Sequence, residues 1–315
     1  MPSDMTYRQL GRSGLTVSTV GLGCNNFGAR MRDEDVPTVV SAAIDAGITL
    51  FDTADAYGNR GGSETLLGRA LKGRRAEVIV ATKFGADMGG GNGPDWGVRG
   101  SRRYIRLAVE SSLRRLGTEW IDLYQMHVPD PRTPIEETLA ALSELVSEGK
   151  VRYVGSSNFT GWQVVDADWT AQTAGYEPFI SAQNEYSWLN RAIETELVPA
   201  LDHTGQSLLP YFPRARGLLT GKYKRGEAAP PGTRLAGQSD QLDSADFDRV
   251  EAIEKFAADR DVSILTVAIG GLAAMPSVGS VIAGATRVEQ IEQNVAAGLW
   301  VPSGDDLEAL LQITG

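Results

Sequence analysis

Four side chains that can bind or transfer protons lie near the ends of three mainly apolar segments of the sequence, or just after them. The segments span residues 48–51, 76–85 and 119–130, and the four side chains are Asp52, Tyr57, Lys83 and His127. A phenol has a pKa near 10 and transfers protons poorly at neutral pH unless a nearby cation lowers that pKa. Lys83 can supply the cation and Asp52 can keep the lysine charged. His127 can orient a substrate oxygen toward Tyr57.

Each of these residues also has an ordinary explanation. An aspartate at a strand end often caps a loop, and a tyrosine in a loop often packs with its hydroxyl in water. A lysine can extend to solvent past apolar neighbours, and a single histidine is more often a core residue than a catalyst. Taken singly, the ordinary explanations are favoured. Together, the four residues mark three neighbouring strand ends, where parallel α/β folds place their chemistry, and this favours a catalytic group.

Composition excludes several classes of protein. A chain of 315 residues with 42% hydrophobic residues can form one large barrel or two ordinary domains. The net charge of −10 argues against nucleic acid or anionic lipid as a partner. No run approaches the roughly 18 apolar residues of a membrane span, and no signal peptide is evident. The single cysteine, Cys24, and the two histidines show no metal-ligand spacing, so we expect a cytoplasmic protein without a metal site.

Strand-like and helix-like segments alternate along the chain. Residues 11–14, GRSG, separate two extended runs and predict a β-hairpin. Eight strand–helix units without a linker then predict a single (β/α)₈ barrel domain over residues 1–315, with long loops at the C-terminal face. Ser63 is placed to cap the helix that runs to Leu71. Residues 213–240 are rich in Gly, Pro and Arg and predict a long functional or mobile loop.

A set of motifs in this order resembles the aldo-keto reductase superfamily, in particular its bacterial NADPH-dependent members. The motifs are FDTADAYG (51–58), SE (63–64), LLGRAL (66–71), TKFG (82–85), DLYQMH (122–127), VGSSNF (154–159), Gln183, GLLTGKY (217–223), GATR (284–287) and EQIEQN (289–294). The resemblance implies that the hairpin closes the bottom of the barrel. It also implies hydride transfer from NADPH to an aldehyde or ketone. Tyr57 would then donate the proton, tuned by Lys83 and Asp52, with His127 orienting the carbonyl.

The cofactor assignment rests on the same resemblance. GLGCNNFG is a weak match to GxGxxG in the wrong context, which argues against a Rossmann domain. The family instead implies an extended dinucleotide across the barrel mouth. The resemblance implies that the carboxamide is held by Ser157, Asn158 and Gln183, and that the nicotinamide ring stacks on Tyr211. It implies that the pyrophosphate is bound by Pro213, Gly217, Leu218, Lys222 and Arg234, and the adenosine 2′-phosphate end by Thr286, Arg287, Gln290 and Asn294. The remaining residues implied for the cofactor site are Gly23, Cys24, Asn25, Asp52, Phe212, Arg214, Gly284 and Gln293.

Ordinary explanations and departures accompany this assignment. Ser157 and Asn158 also suit a hydrogen-bonded turn, and a capped helix with a solvated Arg287 would explain the last helix. Phe212 and Arg214 stand where many members have Ser and Leu, Gln293 replaces a frequent Glu, and Gly271 replaces a large aromatic residue. Arg214 either contacts phosphate or points to solvent.

The substrate is not encoded in a recognisable motif. The candidates for the pocket, chosen by loop position, are Phe27, Tyr57, Trp96, His127, Val128, Trp188 and Trp300, and the tryptophans could equally be packing residues. The expected partner is a small carbonyl compound, with oligomeric state left open. Two alternatives remain: an NADPH-binding regulatory or sensor subunit with slow turnover, and a reductase of C=N bonds.

Overall fold

Short buried strands alternate with amphipathic helices in the structure, a computed structural model that describes residues 5–315. The strands are β1 (Tyr7–Gln9), β2 (Thr16–Ser18), β3 (Val20–Gly23), β4 (Leu50–Asp52), β5 (Ile79–Phe84), β6 (Ile121–Met126), β7 (Val151–Ser157), β8 (Phe179–Gln183), β9 (Ser207–Leu208) and β10 (Val281–Gly284). The helices are α1 (Val36–Asp45), α2 (Tyr57–Ala70), α3 (Arg102–Leu116), α4 (Ile135–Ser147), α5 (Gly161–Ala174), α6 (Leu197–Thr204), α7 (Ser239–Asp243), α8 (Phe247–Ala258), α9 (Ile264–Thr266), α10 (Val288–Gly298) and α11 (Gly304–Thr314).

Strands β3 to β10 form one parallel sheet in the order β10-β3-β4-β5-β6-β7-β8-β9. The sheet curls until its two edges meet at Leu208 on β9. The Leu208 amide donates to the Ser277 carbonyl at 2.7 Å, and the Gly279 amide donates to the Leu208 carbonyl at 2.8 Å. These bonds satisfy backbone groups that an open edge would leave unpaired. The predicted (β/α)₈ barrel is therefore confirmed.

The predicted N-terminal hairpin is also confirmed, and it closes the bottom of the barrel. β1 and β2 pair antiparallel, with Tyr7 opposite Ser18. Leu10, Leu15 and Val17 are buried in one cluster with apolar side chains from the barrel strands. Each apolar side chain removed from water in this way contributes on the order of 1.5–3 kcal/mol. The hairpin thus seals the end of the barrel opposite the strand C-termini.

Strand periodicity sorts the barrel interior into an apolar layer and a polar layer. Side chains two residues apart on a strand point to the same face. On three adjacent strands the residue facing the hairpin is apolar and buried, and the residue two positions later is polar. The pairs are Leu50 and Asp52 on β4, Ala81 and Lys83 on β5, and Leu123 and Gln125 on β6. The sequence therefore places a layer of polar side chains next to the apolar layer that contacts the hairpin, on the side of the strand C-termini.

The start of α2 differs from the prediction. Residues 58–60 have positive φ, so the chain makes a left-handed turn after Tyr57 before the regular helix begins. Ser63 lies inside α2 and does not cap it. Its hydroxyl donates to the Cys24 carbonyl at 2.8 Å and lies 2.8 Å from the Thr53 hydroxyl oxygen. The prediction of a Ser63 cap was wrong because that hydroxyl joins α2 to the strand ends.

One further region, the long loop after β9, follows the sequence expectation. Residues 213–240 are mostly irregular but contain a short 3₁₀ helix, Ala215–Thr220, and the start of α7. Across residues 5–315, no helix is long and apolar enough to cross a membrane. Within the same range, no three His, Cys, Asp or Glu side chains are grouped so that they could hold a metal ion.

A π-helical turn at Val267–Gly271 continues α9 and explains one departure noted in the sequence. The indole of Trp188 is fully buried, and its nitrogen donates to the Val267 carbonyl at 2.9 Å. A Cβ atom on Gly271 would lie 3.0 Å from this ring. π-Helical turns leave backbone groups that need such partners. Gly271 thus makes room for Trp188, where a large aromatic residue could not fit.

Replacing Gly271 by alanine should therefore destabilise the protein. Replacing glycine by alanine within a helix normally raises the free energy of unfolding by about 0.5–1 kcal/mol, but steric crowding in a packed core lowers it by about 1–3 kcal/mol. We expect Gly271→Ala to lower the free energy of unfolding, measured by urea denaturation. Gly304→Ala is the matched control, because a Cβ at Gly304 meets nothing within 4 Å. Equal stability of the two variants would contradict the steric explanation.

Candidate active site

A buried ion pair lies at the centre of the polar layer. The Lys83 ammonium donates to both oxygens of Asp52, at 2.8 and 2.7 Å, and to the Thr53 carbonyl at 2.9 Å. Both charged side chains are almost completely buried. Burial alone would lower the pKa of Lys83, but Asp52 and Tyr57 outweigh it and the pKa is raised. Lys83 therefore stays positively charged at neutral pH.

The Tyr57 hydroxyl lies beside this pair, 3.5 Å from the Lys83 nitrogen. Burial raises the pKa of Tyr57 above its usual value, and although Lys83 lowers the pKa, Asp52 raises it further. This differs from the expectation that the lysine would lower the pKa overall. The physical reason is that burial disfavours the phenolate and Asp52 offsets much of the lysine charge. The phenol therefore keeps its proton at neutral pH.

His127 follows β6 and completes the group of four. Its ring lies edge-on to that of Tyr57, with the centroids 5.7 Å apart. Burial, reinforced by the Lys83 charge, lowers the pKa of His127 to about 3. The imidazole is therefore neutral at pH 7 and can form hydrogen bonds without carrying a charge. The structure thus brings together all four side chains singled out in the sequence.

Two glutamine amides complete the surroundings of Asp52. The Gln183 amide donates to Asp52 at 2.8 Å, and the Gln125 amide donates to the same oxygen at 3.3 Å. Gln125 was not singled out in the sequence. Its signal was present: it is a polar residue in an apolar strand, two positions before His127, and strand periodicity aims it into the barrel. Gln125 and Gln183 satisfy carboxylate lone pairs that Lys83 leaves free.

A long cleft of about 800 Å³ runs from this group across the barrel mouth. Tyr57 and His127 line one end of it. Of the residues predicted to hold a cofactor, all but three lie on its wall, and the exceptions are Cys24, Leu218 and Asn294. Cys24 is fully buried, and its amide donates to the Asp52 carbonyl at 2.8 Å. Leu218 packs against the core. Neither side chain faces the cleft.

Positive charge dominates the wall of the cleft. Its cationic side chains are Arg30, Arg214, Arg216, Lys222, Arg234 and Arg287. Asp52, already paired with Lys83, is the only acidic side chain on the wall among the residues described. Burial and the neighbouring arginines together lower the pKa of Lys222. Because these cations disfavour one another, the cleft suits a ligand that carries several negative charges.

The structure assigns a definite position to Arg214. Arg214 is half-buried, and its guanidinium donates to the Gly284 carbonyl at 2.6 Å. Burial, together with Arg234, lowers the pKa of Arg214 to about 10, so the group remains charged at neutral pH. Arg214 thus lines the cleft and does not extend into solvent.

Phe212 occupies a strained position between two of the cations. It has a positive φ of 54°. Its ring lies 4.6 Å from the Arg234 guanidinium carbon and 5.1 Å from that of Arg216. Contacts of this kind between cations and aromatic faces contribute about 0.5–2 kcal/mol. The phenylalanine, a departure from many family members, therefore orders two arginines along the cleft. Arg30 and Arg216 were missed in the sequence, although both lie in loops already expected at the barrel mouth.

Polar side chains join neighbouring strand ends beside the group formed by Asp52, Tyr57, Lys83 and His127. The Tyr211 hydroxyl donates to the Asn158 side-chain oxygen at 2.9 Å, and the Asn158 amide donates to the His127 carbonyl at 2.9 Å. The Ser157 hydroxyl donates to the Gln183 carbonyl at 2.8 Å. These residues are hydrogen-bonded to one another and also line the cleft. The turn anticipated as their ordinary explanation is therefore part of the cleft wall.

At the far end, the residues before α10 form a capped turn. The Thr286 amide donates to the Gln290 side chain at 2.8 Å, and Arg287 precedes the first residue of the helix. Arg287 is exposed and lines the cleft. Asn294 is buried, and its side-chain oxygen has no hydrogen-bond partner within residues 5–315. Asn294 therefore lies behind the cleft wall, in contrast to its neighbours Gln290 and Gln293, which line the cleft.

The five other residues expected at the pocket rim do not lie on the cleft wall. Phe27 and Trp188 are fully buried, and Trp188 packs on the π-helical turn. Trp300 is partly buried against the core. Val128 and Trp96 are exposed, and the Trp96 ring is covered by Arg103 at 4.4 Å. The correction follows from packing: loop position alone does not distinguish a tryptophan in the core from one at a pocket.

Sequence comparisons agree with this geometry. A profile of the Aldo/keto reductase family matches residues 19–313. "Uncharacterized oxidoreductase YrpG" of Bacillus subtilis (strain 168) is 36% identical over 93% of this chain and 91% of its own length. "L-glyceraldehyde 3-phosphate reductase" of Escherichia coli (strain K12) is 34% identical over 93% and 88%, and "Probable voltage-gated potassium channel subunit beta" of Arabidopsis thaliana is 34% identical over 93% and 91%. The chain therefore belongs to the aldo/keto reductase family of oxidoreductases.

Proposed function

We propose that the protein is an NADPH-dependent reductase of aldehydes and ketones. The observation that carries this proposal is a single arrangement: the Tyr57 phenol and the buried Lys83–Asp52 pair lie at one end of a cleft lined by six cations. Proton-transfer groups and a polyanion site in one cleft are the two parts that a nicotinamide-dependent reduction needs.

The cation content of the cleft favours NADPH over NADH. Both cofactors carry a pyrophosphate, and NADPH carries an additional 2′-phosphate. Arg214, Lys222 and Arg234 are suited to the pyrophosphate, and Arg287 beside the α10 N-terminus is suited to the 2′-phosphate. When bound, the nicotinamide supplies a hydride for the carbonyl carbon.

Tyr57 donates the proton to the carbonyl oxygen. Its raised pKa keeps the phenol protonated at neutral pH, so the proton to be donated is present before the reaction begins. Lys83, 3.5 Å away, stabilises the phenolate that forms, and Asp52 keeps Lys83 charged. In the reverse direction the phenolate is the base that accepts the alcohol proton. Lys83 therefore stabilises the negative charge that develops on the Tyr57 oxygen during the reaction, more than it lowers the pKa of the phenol before the reaction.

His127 orients the substrate carbonyl. The pKa of about 3 keeps the imidazole neutral, so it has no labile extra proton to deliver at physiological pH. A neutral imidazole ring nitrogen can still donate a hydrogen bond. This leaves the primary proton transfer to Tyr57.

A cofactor and substrate panel tests the proposal. The reductase relative in Escherichia coli is named for a small phosphorylated aldehyde. NADPH and NADH oxidation would be followed spectrophotometrically with aldehydes, ketones and cyclic imines. Efficient turnover of carbonyls with NADPH is expected. Turnover of imines alone would identify a C=N reductase instead, and no turnover with any compound would contradict the proposal.

A regulatory subunit is the second proposal, favoured by one comparison. Relatives in two plants bear the name of a potassium channel β subunit. The presence of Asp52, Tyr57, Lys83 and His127 does not distinguish the two functions, because an NADPH-bound sensor with slow turnover can contain the same four residues. Turnover separates them: tight NADPH binding with very slow oxidation across the panel would favour the sensor.

The first prediction compares Tyr57→Phe with His127→Gln. Tyr57→Phe keeps the ring but removes the transferable proton, so turnover should fall by about 10²–10⁴-fold with NADPH affinity nearly unchanged. His127→Gln retains a hydrogen-bond donor and should retain more activity. Steady-state rates on one carbonyl at one pH, with fluorescence titration of NADPH, measure both effects. The opposite ranking would transfer the acid role to His127.

A second prediction concerns Lys83→Met. Methionine is similar in length but leaves the phenolate without its cation and Asp52 without its partner. The turnover number should fall by two or more orders of magnitude, with little change in the Michaelis constant for the carbonyl. A raised Michaelis constant with normal turnover would instead mark Lys83 as a binding residue.

A third prediction tests cofactor choice with Arg287→Ala. Hydrogen bonds to charged groups contribute about 1.5–3 kcal/mol, so NADPH affinity should fall by about one to two orders of magnitude. NADH lacks the 2′-phosphate, and its affinity should barely change. Arg152→Ala is the control, because Arg152 is exposed at the opposite, N-terminal end of β7. Fluorescence titration that found equal losses for both cofactors would refute the role of Arg287.

A further inference from the structure

A second buried polar network lies behind the catalytic group, outside the cleft. The Asn92 amide nitrogen donates to Asp55 at 2.8 Å, and the Arg115 guanidinium donates to the Asn92 oxygen at 3.0 Å. Arg115 also donates to Glu64 at 2.6 Å, and Glu64 accepts from the Thr82 hydroxyl at 2.6 Å. None of these five residues lines the cleft. The network has no assigned part in binding or proton transfer.

Both ends of the network adjoin catalytic residues in the chain. Asp55 lies two residues before Tyr57, and its backbone amide donates to the Lys83 carbonyl at 3.1 Å. Thr82 immediately precedes Lys83. Asp55 is fully buried, as are Glu64 and Thr82. The segment that carries Tyr57 is therefore held through its backbone to β5 and through the Asp55 side chain to Asn92.

Asn92 brings a loop into this network. It belongs to the glycine-rich segment 85–100, and it is buried although its neighbours Gly89, Gly90 and Gly91 are exposed. In addition to its bond to Asp55, the Asn92 nitrogen lies 3.3 Å from the Tyr104 hydroxyl on α3. Because the Asn92 side chain is bonded on all sides, the loop is fixed to the core at this point. A displaced loop would remove the only hydrogen-bond partner that the Asp55 carboxylate has in residues 5–315, apart from the backbone of Ala56.

Several charged and titratable groups face Asp55. Glu64 comes from α2, Arg115 and Tyr104 from α3, and Tyr124 from β6. Burial, followed by repulsion from Glu64, raises the pKa of Asp55 to about 7, although Asn92 and Arg115 oppose the shift. One Asp55 oxygen is buried without a partner. The network thus holds two carboxyl groups but one guanidinium, and that guanidinium bonds to Glu64.

We propose that Asp55 and Asn92 form a buried joint that positions Tyr57 for proton transfer, and that loop 85–100 contributes to catalysis through this joint. The inference rests on the proposed reductase function. Asp55 and Asn92 are positioning residues, since neither reaches the cleft. Asp55 accepts from Asn92 in either protonation state, but ionisation places a buried negative charge, with one oxygen lacking a partner, near Glu64. Proton transfer should therefore weaken as pH rises through about 7, the pKa of Asp55.

The test uses Asn92→Ala and Asp55→Asn in the full-length protein, with Asp166→Asn on the exposed face of α5 as control. Asn92→Ala should lower the turnover number by about tenfold to a hundredfold with unchanged NADPH affinity, because small misplacements of a catalytic group have effects of this size. Asp55→Asn imitates the neutral acid. It should keep wild-type turnover at pH 6 and lose the decline that wild type shows between pH 6 and 8.

A readout independent of activity accompanies these rates. A carboxyl group whose pKa is higher in the folded state than its unfolded value of about 3.9 favours folding at low pH, and that contribution is lost as pH rises to the folded pKa. Asp55→Asn should thus gain stability relative to wild type between pH 5 and 8. Hydrogen exchange of peptides covering 86–100 and 53–60 should accelerate together in Asn92→Ala and stay unchanged in the control.

These measurements separate the two proposals. If wild type reduces no carbonyl, the proposed function fails, and coupled exchange of the two peptides still decides whether the joint exists. If wild type is active, normal turnover in Asn92→Ala despite faster exchange of loop 85–100 overturns the positioning role. Equal stability of Asp55→Asn and wild type at every pH overturns the neutral-acid state. Coupled exchange with a selective loss of turnover supports the joint.

Discussion

The buried pair of Lys83 and Asp52 is the interaction on which the site depends. Removing two charges from water costs several kcal/mol per ion, and their attraction offsets this only with good geometry and further hydrogen bonds. The barrel interior supplies both, because Asp52 also accepts from Gln183 and Lys83 also donates to the Thr53 carbonyl. The apolar layer below and the hairpin beneath it keep water from this pair. The fold thereby places one fixed positive charge beside a phenol.

Charge is distributed unevenly over the molecule. The chain carries a net charge of −10, yet its mouth cleft is lined by six cations. Like charges repel one another, and Phe212 and the Gly284 carbonyl contact three of these cations along the cleft. The acidic remainder of the surface does not favour polyanions such as nucleic acids. Positive charge is thus concentrated in the cleft at the barrel mouth, while the chain as a whole is acidic.

Much of this architecture could be predicted from the sequence. Alternating strand and helix patterns predicted the barrel, and strand ends predicted the group formed by Asp52, Lys83 and His127. The failures have physical causes. Ser63 was predicted as a cap because its type suits one, but its hydroxyl bonds to the Cys24 carbonyl and the Thr53 hydroxyl at the strand ends. Trp188 was predicted at a rim, yet a π-helical turn and Gly271 create a core site for it. Sequence periodicity does not reveal such local irregularities, and the net pKa of Tyr57 depends on burial that spacing cannot measure.

The closure of the barrel at Leu208 has a kinetic consequence. β9 is two residues long, so the seam between β9 and β10 is held by fewer backbone hydrogen bonds than the long ladders of β5, β6 and β7. Local opening is easiest where few such bonds must break. Segment 213–238, which carries much of the cationic wall, leaves the barrel at this seam. The segment that carries much of the cationic wall is thus attached at a seam with few backbone hydrogen bonds, so local opening there can free this segment while the longer ladder between β5 and β6, beside Lys83, stays paired.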